Sequence, residues 1–129
     1  MLELSVKVDG LVKKLATVEQ HISAIKGKFF LFALLLREES TGTWDVLVAA
    51  PWIANQQDAM KYLADEIQSA LTPEELVLLS KIVILEPGSS LLAAFQLLVS
   101  IEHGNVSVTD CTINGLVIQR AFIVTSQRL

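Results

Sequence analysis

Two neighbouring segments, FFLFALLL at 29–36 and WDVLVAA at 44–50, are apolar at both even and odd positions. Side chains of a strand point alternately to opposite faces, so a strand of this kind needs cover on both sides. The intervening EESTGT contains Gly42, which is free to take positive φ, and the pair reads as an antiparallel hairpin. A chain built around such a hairpin must supply layers above and below one sheet.

The segments that follow carry their own start and stop signals. Pro51 ends the second strand. Asn55, with Asp58 three residues on, starts a helix that runs to about Leu71 and can bury Ala59, Leu63, Ile67 and Leu71. Thr72-Pro73-Glu74-Glu75 joins a capping threonine, a proline at the first helical position and the glutamate of a capping box. That short helix ends near Ser80. KIVILEP is a third strand, apolar on both faces, and Ser89 or Ser90 caps a helix made of LLAAFQLLVSI and ended by Gly104. NVSV alternates and predicts a fourth strand with one wet face, TDCTING a turn region, and 116–125 a last strand.

The resulting order is α-β-β-α-α-β-α-β-β. It predicts an α+β fold with α/β character, a mixed five-stranded sheet with helices on both faces. The connections from strand two to three and from three to four are expected to be right-handed parallel crossovers. Residues 1–129 form a single domain, with 1–27 as an N-terminal helix and 28–129 as the α+β core.

The N-terminal helix carries a heptad seam. Met1, Val8, Leu15 and Ile22 fall seven apart, as do Leu4, Leu11, Val18 and Ile25. The steps of three and four describe a and d positions of a coiled coil, widened modestly by Val6 and Val12. Lys14 can reach Glu19 of a parallel partner, while Asp9-Gly10 weakens the helix. Val8, Leu11, Leu15, Val18, Ile22 and Ile25 are thus candidate contacts between subunits; the alternative is a helix lying on the subunit's own sheet. Chain order alone leaves FFLFALLL at a sheet edge, so either the last strand pairs with it or another subunit covers it.

Composition points the same way. Hydrophobic residues make up 52% and charged residues 19%, and the mean hydropathy is +0.52, against usual values of about 45–50% and about 25%. Self-association to a homodimer or higher oligomer is the expected partnership, with another protein as a further partner. The net charge of −4, without a basic run, argues against nucleic acid and against anionic membrane surfaces. The longest apolar run, at 29–36, is far short of the roughly 20 residues a spanning helix needs, and MLELSVKVDG does not read as a signal peptide. A cytoplasmic location is expected.

The spans GKFFLFALLLREESTGTWDVLVAAPW, LSKIVILEP and GLVIQRAFIVTS together resemble a group of small prokaryotic proteins without an assigned function. The resemblance implies no activity, cofactor or catalytic residue.

Few residues suggest chemistry. Cys111, His21 and His103 are too few and too scattered for an ordinary zinc site, so neither metal nor cofactor is expected. Neither GxGxxG nor GxxxxGK[ST] is present. If strands two, three and four are parallel, their carboxyl-end loops converge and bring together Trp52, Glu86, Ser89, Ser90 and Asp110. Such a pocket joins an aromatic wall, two carboxylates and a helix start, and suits a small-ligand sensor or enzyme. Each member also has a plain structural use: turning the chain, capping a helix or anchoring a core. Asp45, inside an apolar strand, needs a partner, for which Arg120 and Arg37 are the candidates. The sequence therefore favours a non-enzymatic, self-associating interaction or regulatory module over an enzyme.

Overall fold

A computed structural model describes residues 2–39 and 42–129, with side chains of the first helix described from Val8 onward. Met1 of the seam, the side chains of Leu4 and Val6, and Ser40-Thr41 of the turn lie outside the described residues. The elements are α1 (Leu2–Lys26), β1 (Leu31–Arg37), β2 (Trp44–Ala49), α2 (Gln56–Ala70), α3 (Pro73–Leu76), β3 (Leu79–Ile84), α4 (Ser90–Leu98), β4 (Val106–Ile113) and β5 (Leu116–Ser126). This is an α+β fold in the element order the sequence predicts.

One mixed sheet of five strands runs in the order β3-β2-β1-β5-β4. β1 lies at its centre, antiparallel to β2 and to β5. The apolar strand is therefore covered by the last strand of the same chain. β3 joins β2 in parallel, as expected of a right-handed crossover through α2 and α3. β4 departs from expectation. It pairs only with β5, antiparallel, at the opposite edge. It consequently runs against β2 and β3, and the connection from β3 is no parallel crossover.

The two sheet faces carry separate cores. On one face, α1 and α2 cover Phe32, Leu34, Trp44, Val46, Val48, Phe122 and Val124. On the other, α4 covers Leu31, Ala33, Leu35, Leu47, Ala49, Ala121 and Ile123. The doubly apolar strands thus find the two layers they need. The third strand does not: as an edge, β3 leaves Ser80 and Lys81 exposed and its apolar side chains half-buried.

The heptad seam packs inside the subunit. Val8, Leu11, Leu15, Val18 and Ile22 are each at most 7% exposed within the single chain, and only Ile25, at 60%, faces outward. These five side chains thus pack against the chain's own sheet, the alternative the sequence leaves open to a contact between subunits. The physical reason is the stripe's width. Val12 and Glu19 are buried beside the a and d positions, and such a broad face suits a sheet rather than a narrow helix seam.

Local caps behave as the sequence dictates. Asn55 Oδ1 accepts from the N–H groups of Gln57 and Asp58. The Thr72–Glu75 capping box is complete. Gly27 ends α1 at φ +118°. α4 stops earlier than expected, because Val99 is extended and the chain turns so that Ile101 bridges Ser126. β4 continues through Asp110 to Ile113, and Asn114-Gly115, both at positive φ, make the tight turn into β5.

Candidate functional site

Because β2 and β3 are parallel, the loops after them share one end of the sheet. A cleft of about 300 Å³ lies there between Ala50, Ile53 and the 84–88 turn, and Glu86 is on its wall. The remaining residues expected at a strand-end pocket are engaged elsewhere. Trp52 packs edge-on against Phe29 at 5.6 Å and Tyr62 at 6.3 Å between ring centroids. Ser89 Oγ accepts from the Leu92 N–H as the cap of α4, and Ser90 Oγ accepts from Asn114 Nδ2 at 3.0 Å. Asp110 sits in β4 across the sheet with φ +48°, beside Cys111. The antiparallel course of β4 thus separates Asp110 from Glu86, and no shared acid pair forms. Burial and the nearby Asp110 carboxylate push the Cys111 thiol up, which disfavours the nucleophilic thiolate.

Asp45 is 4% exposed. Its Oδ2 lies 2.9 Å from Nε of Arg37, which also reaches Glu39 at 2.8 Å. Of the two candidate partners, Arg37 is the one used. Arg120 instead lies over the Phe122 ring, 4.5 Å from its centroid.

The most buried polar cluster was not foreseen. Glu19 of α1 is fully buried. One carboxylate oxygen is 2.7 Å from His103 Nδ1, and the other accepts from the Thr125 hydroxyl at 2.9 Å. Thr125 Oγ1 also accepts from the His103 backbone N–H. With Nδ1–H donating to Glu19, Nε2 turns outward and stands 3.8 Å from Glu102. Glu102 accepts from Gln127 Nε2 and lies 3.8 Å from Lys28, and these contacts hold its carboxyl below the usual range, the Gln127 bond foremost. A buried carboxylate that orients an imidazole is a known means of preparing a base. Here the outer nitrogen meets another carboxylate, and the cluster's evident work is to tie α1, β5 and the 99–104 segment together. Its sequence signal is Glu19 itself, a charge placed inside the apolar stripe.

An open groove of about 370 Å³ runs between α1 and α2, floored by Val18 and edged by Lys14, His21 and Glu66. Its charged groups are matched within the chain, Lys14 to Glu75 at 2.7 Å and His21 to Glu66 at 3.9 Å. Among the described residues, no three His, Cys, Asp or Glu side chains come together as a metal site, and no helix is long and apolar enough to cross a membrane.

Apolar surface is the other notable feature. α4 carries no charged residue. Leu92 and Phe95 face the sheet, while Leu97 and Leu98 are 76% and 53% exposed. This helix of 9 residues covers one face of the sheet, whereas helices of 25 and 15 residues cover the other. Val83, Leu85, Val106, Val108 and Leu116 on the α4 face consequently stay half-buried.

No protein-family model matches this chain, and neither the curated proteins nor the solved structures contain a match to it.

Proposed function

We propose that this chain is a non-enzymatic, self-associating interaction module. The observation that supports it best is the uneven cover of the sheet, with the uncharged α4 leaving Leu97 and Leu98 outside and the flanking strands half-buried. Exposed apolar surface flanked by polar residues is characteristic of protein contact sites. The lining of the strand-end cleft, which includes Glu86 but not Trp52, Ser89 or Asp110, gives the enzyme or ligand-sensor alternative less support. A prokaryotic cytoplasmic setting belongs to the same reading, as does a protein partner on the α4 face.

Sedimentation equilibrium tests the self-association. A mass at a multiple of the 14.1 kDa chain is expected through the micromolar range, and a single species of chain mass throughout would overturn the reading.

A further inference from the structure

We infer that a second copy of this chain pairs with the free edge of β3, strand to strand and antiparallel, to make one continuous ten-stranded sheet (five strands from each copy). The inference rests on the self-association reading and assigns it a surface.

Among the described residues, no strand lies beside the outer edge of β3. The Leu85 N–H donates to Val48 of β2, which fixes the alternation along the strand. The peptide groups of Lys81 and Val83 point to β2, so those of Ile82 and Ile84 point away from it, while a register shift between Trp44 and Asp45 interrupts the alternation at Ser80. An open edge of this kind is a template for another strand. The opposite edge is a poorer one. In β4, Asp110 at φ +48° breaks the extended backbone in mid-strand.

β3 is complementary to itself. Placed antiparallel about Ile82, Ser80 faces the second copy's Ile84 and Ile82 faces its own counterpart. The outward N–H and C=O of Ile82 then both find partners on the second copy's Ile82, because antiparallel pairs at such positions exchange both bonds. Lys81 falls opposite Val83 rather than opposite the other Lys81, which avoids a directly opposed like-charge pair.

The side chains argue for the same occupant. Ile82 and Ile84 pack towards α1 and α2, while Val83 packs towards α4. A strand added here must therefore bring apolar groups to both faces, as β3 does. Beside the edge, Met60, Ala64, Leu76 and Leu79 line a groove of about 220 Å³ that also includes Ser80. In this register the second copy's Ile84, opposite Ser80, enters that groove. The two α4 helices then lie on one face of the extended sheet and present Leu97 and Leu98 twice.

The test combines a variant with a crosslink. Proline is tolerated on an edge strand where its missing N–H faces solvent, so Ile82→Pro removes an outward donor without touching a bond to β2. Sedimentation of Ile82→Pro should show dissociation to the chain mass, with the far-ultraviolet circular dichroism of wild type. Lys81→Cys and Val83→Cys chains, each also carrying Cys111→Ser, are mixed and oxidised. They should form a heterodimeric disulfide, since facing residues that do not share hydrogen bonds have Cα atoms about 4.5 Å apart, within disulfide reach. If Ile82→Pro unfolds, the crosslink decides alone. An assembling wild type with no 81–83 crosslink overturns the β3 pairing and leaves self-association standing; a monomeric wild type overturns both.

Discussion

The carboxylate of Glu19, fully buried, lies 2.7 Å from Nδ1 of His103, across 84 positions of chain. This contact explains the placement of α1. A helix laid on a sheet needs a wide inward stripe, and in α1 that stripe comprises Val8, Leu11, Val12, Leu15, Val18, Glu19 and Ile22. The single charge within it is accommodated because His103 and Thr125 supply donors at the contact point.

Removing one donor should be costly. His103→Ala leaves the Glu19 carboxylate buried with Thr125 as its remaining side-chain donor. A loss of about 2 kcal/mol is expected, less than for a pair enclosed on all sides because the imidazole is 31% exposed and water can fill its place. Glu19→Gln, which keeps the shape and an acceptor, should lose less. Urea unfolding midpoints measure both; a midpoint for His103→Ala equal to that of wild type contradicts the account.

The seam residues should behave as core. Leu15→Ala is expected to lower stability by about 2–5 kcal/mol. Ile25→Asp, at an exposed position, should change it by no more than about 0.5 kcal/mol and leave the oligomeric state alone. Dissociation of the assembly by Ile25→Asp in sedimentation would restore the helix as an intersubunit contact.

Much of the fold was legible because its signals are local. Asn55, the Thr72–Glu75 box and Ser89 act as caps, and each needs only neighbouring residues to work. Strand order was not legible in the same way. FFLFALLL reads as a doubly buried strand, but whether β5 or a second chain covers it depends on partners far along the sequence. In α1 one residue hides the burial: at an e position Glu19 reads as a partner for Lys14 of a second helix, and only the position of His103 shows it to be inside. The strand-end pocket failed on direction. Its residues converge only if β4 runs with β2 and β3, and the Asn114-Gly115 turn instead folds β4 back against β5. That dipeptide is a hairpin signal, but the turn it makes is confined to two residues, and the preceding TDCTI, expected as part of a longer turn region, belongs to β4.

Acid should act partly through Glu75. A hydrogen bond from Lys14 foremost, then one from the Thr72 backbone N–H, holds its carboxyl below the usual range. A depressed native value means that stability is present above the unfolded carboxylate range, near about 4.3, and is lost as pH falls through the lower native value. Glu75→Gln should therefore be less stable than wild type near neutrality and show a flatter decline below about pH 4.3. Parallel stability curves for the two proteins on the acid side would rule this contribution out.

The α4 surface should be dispensable for folding. Leu97→Glu/Leu98→Glu alters two exposed side chains, and unfolding free energy is expected to stay within about 0.5 kcal/mol per substitution. Binding of an apolar fluorescent dye should fall. A cooperative loss of near-ultraviolet circular dichroism would instead place these leucines in the core.

Self-association is the central claim, and sedimentation equilibrium of the unmodified chain tests it most directly. The account predicts a dimer or larger species at a multiple of 14.1 kDa, whose population rises with concentration. A single species of 14.1 kDa across the micromolar range would contradict it.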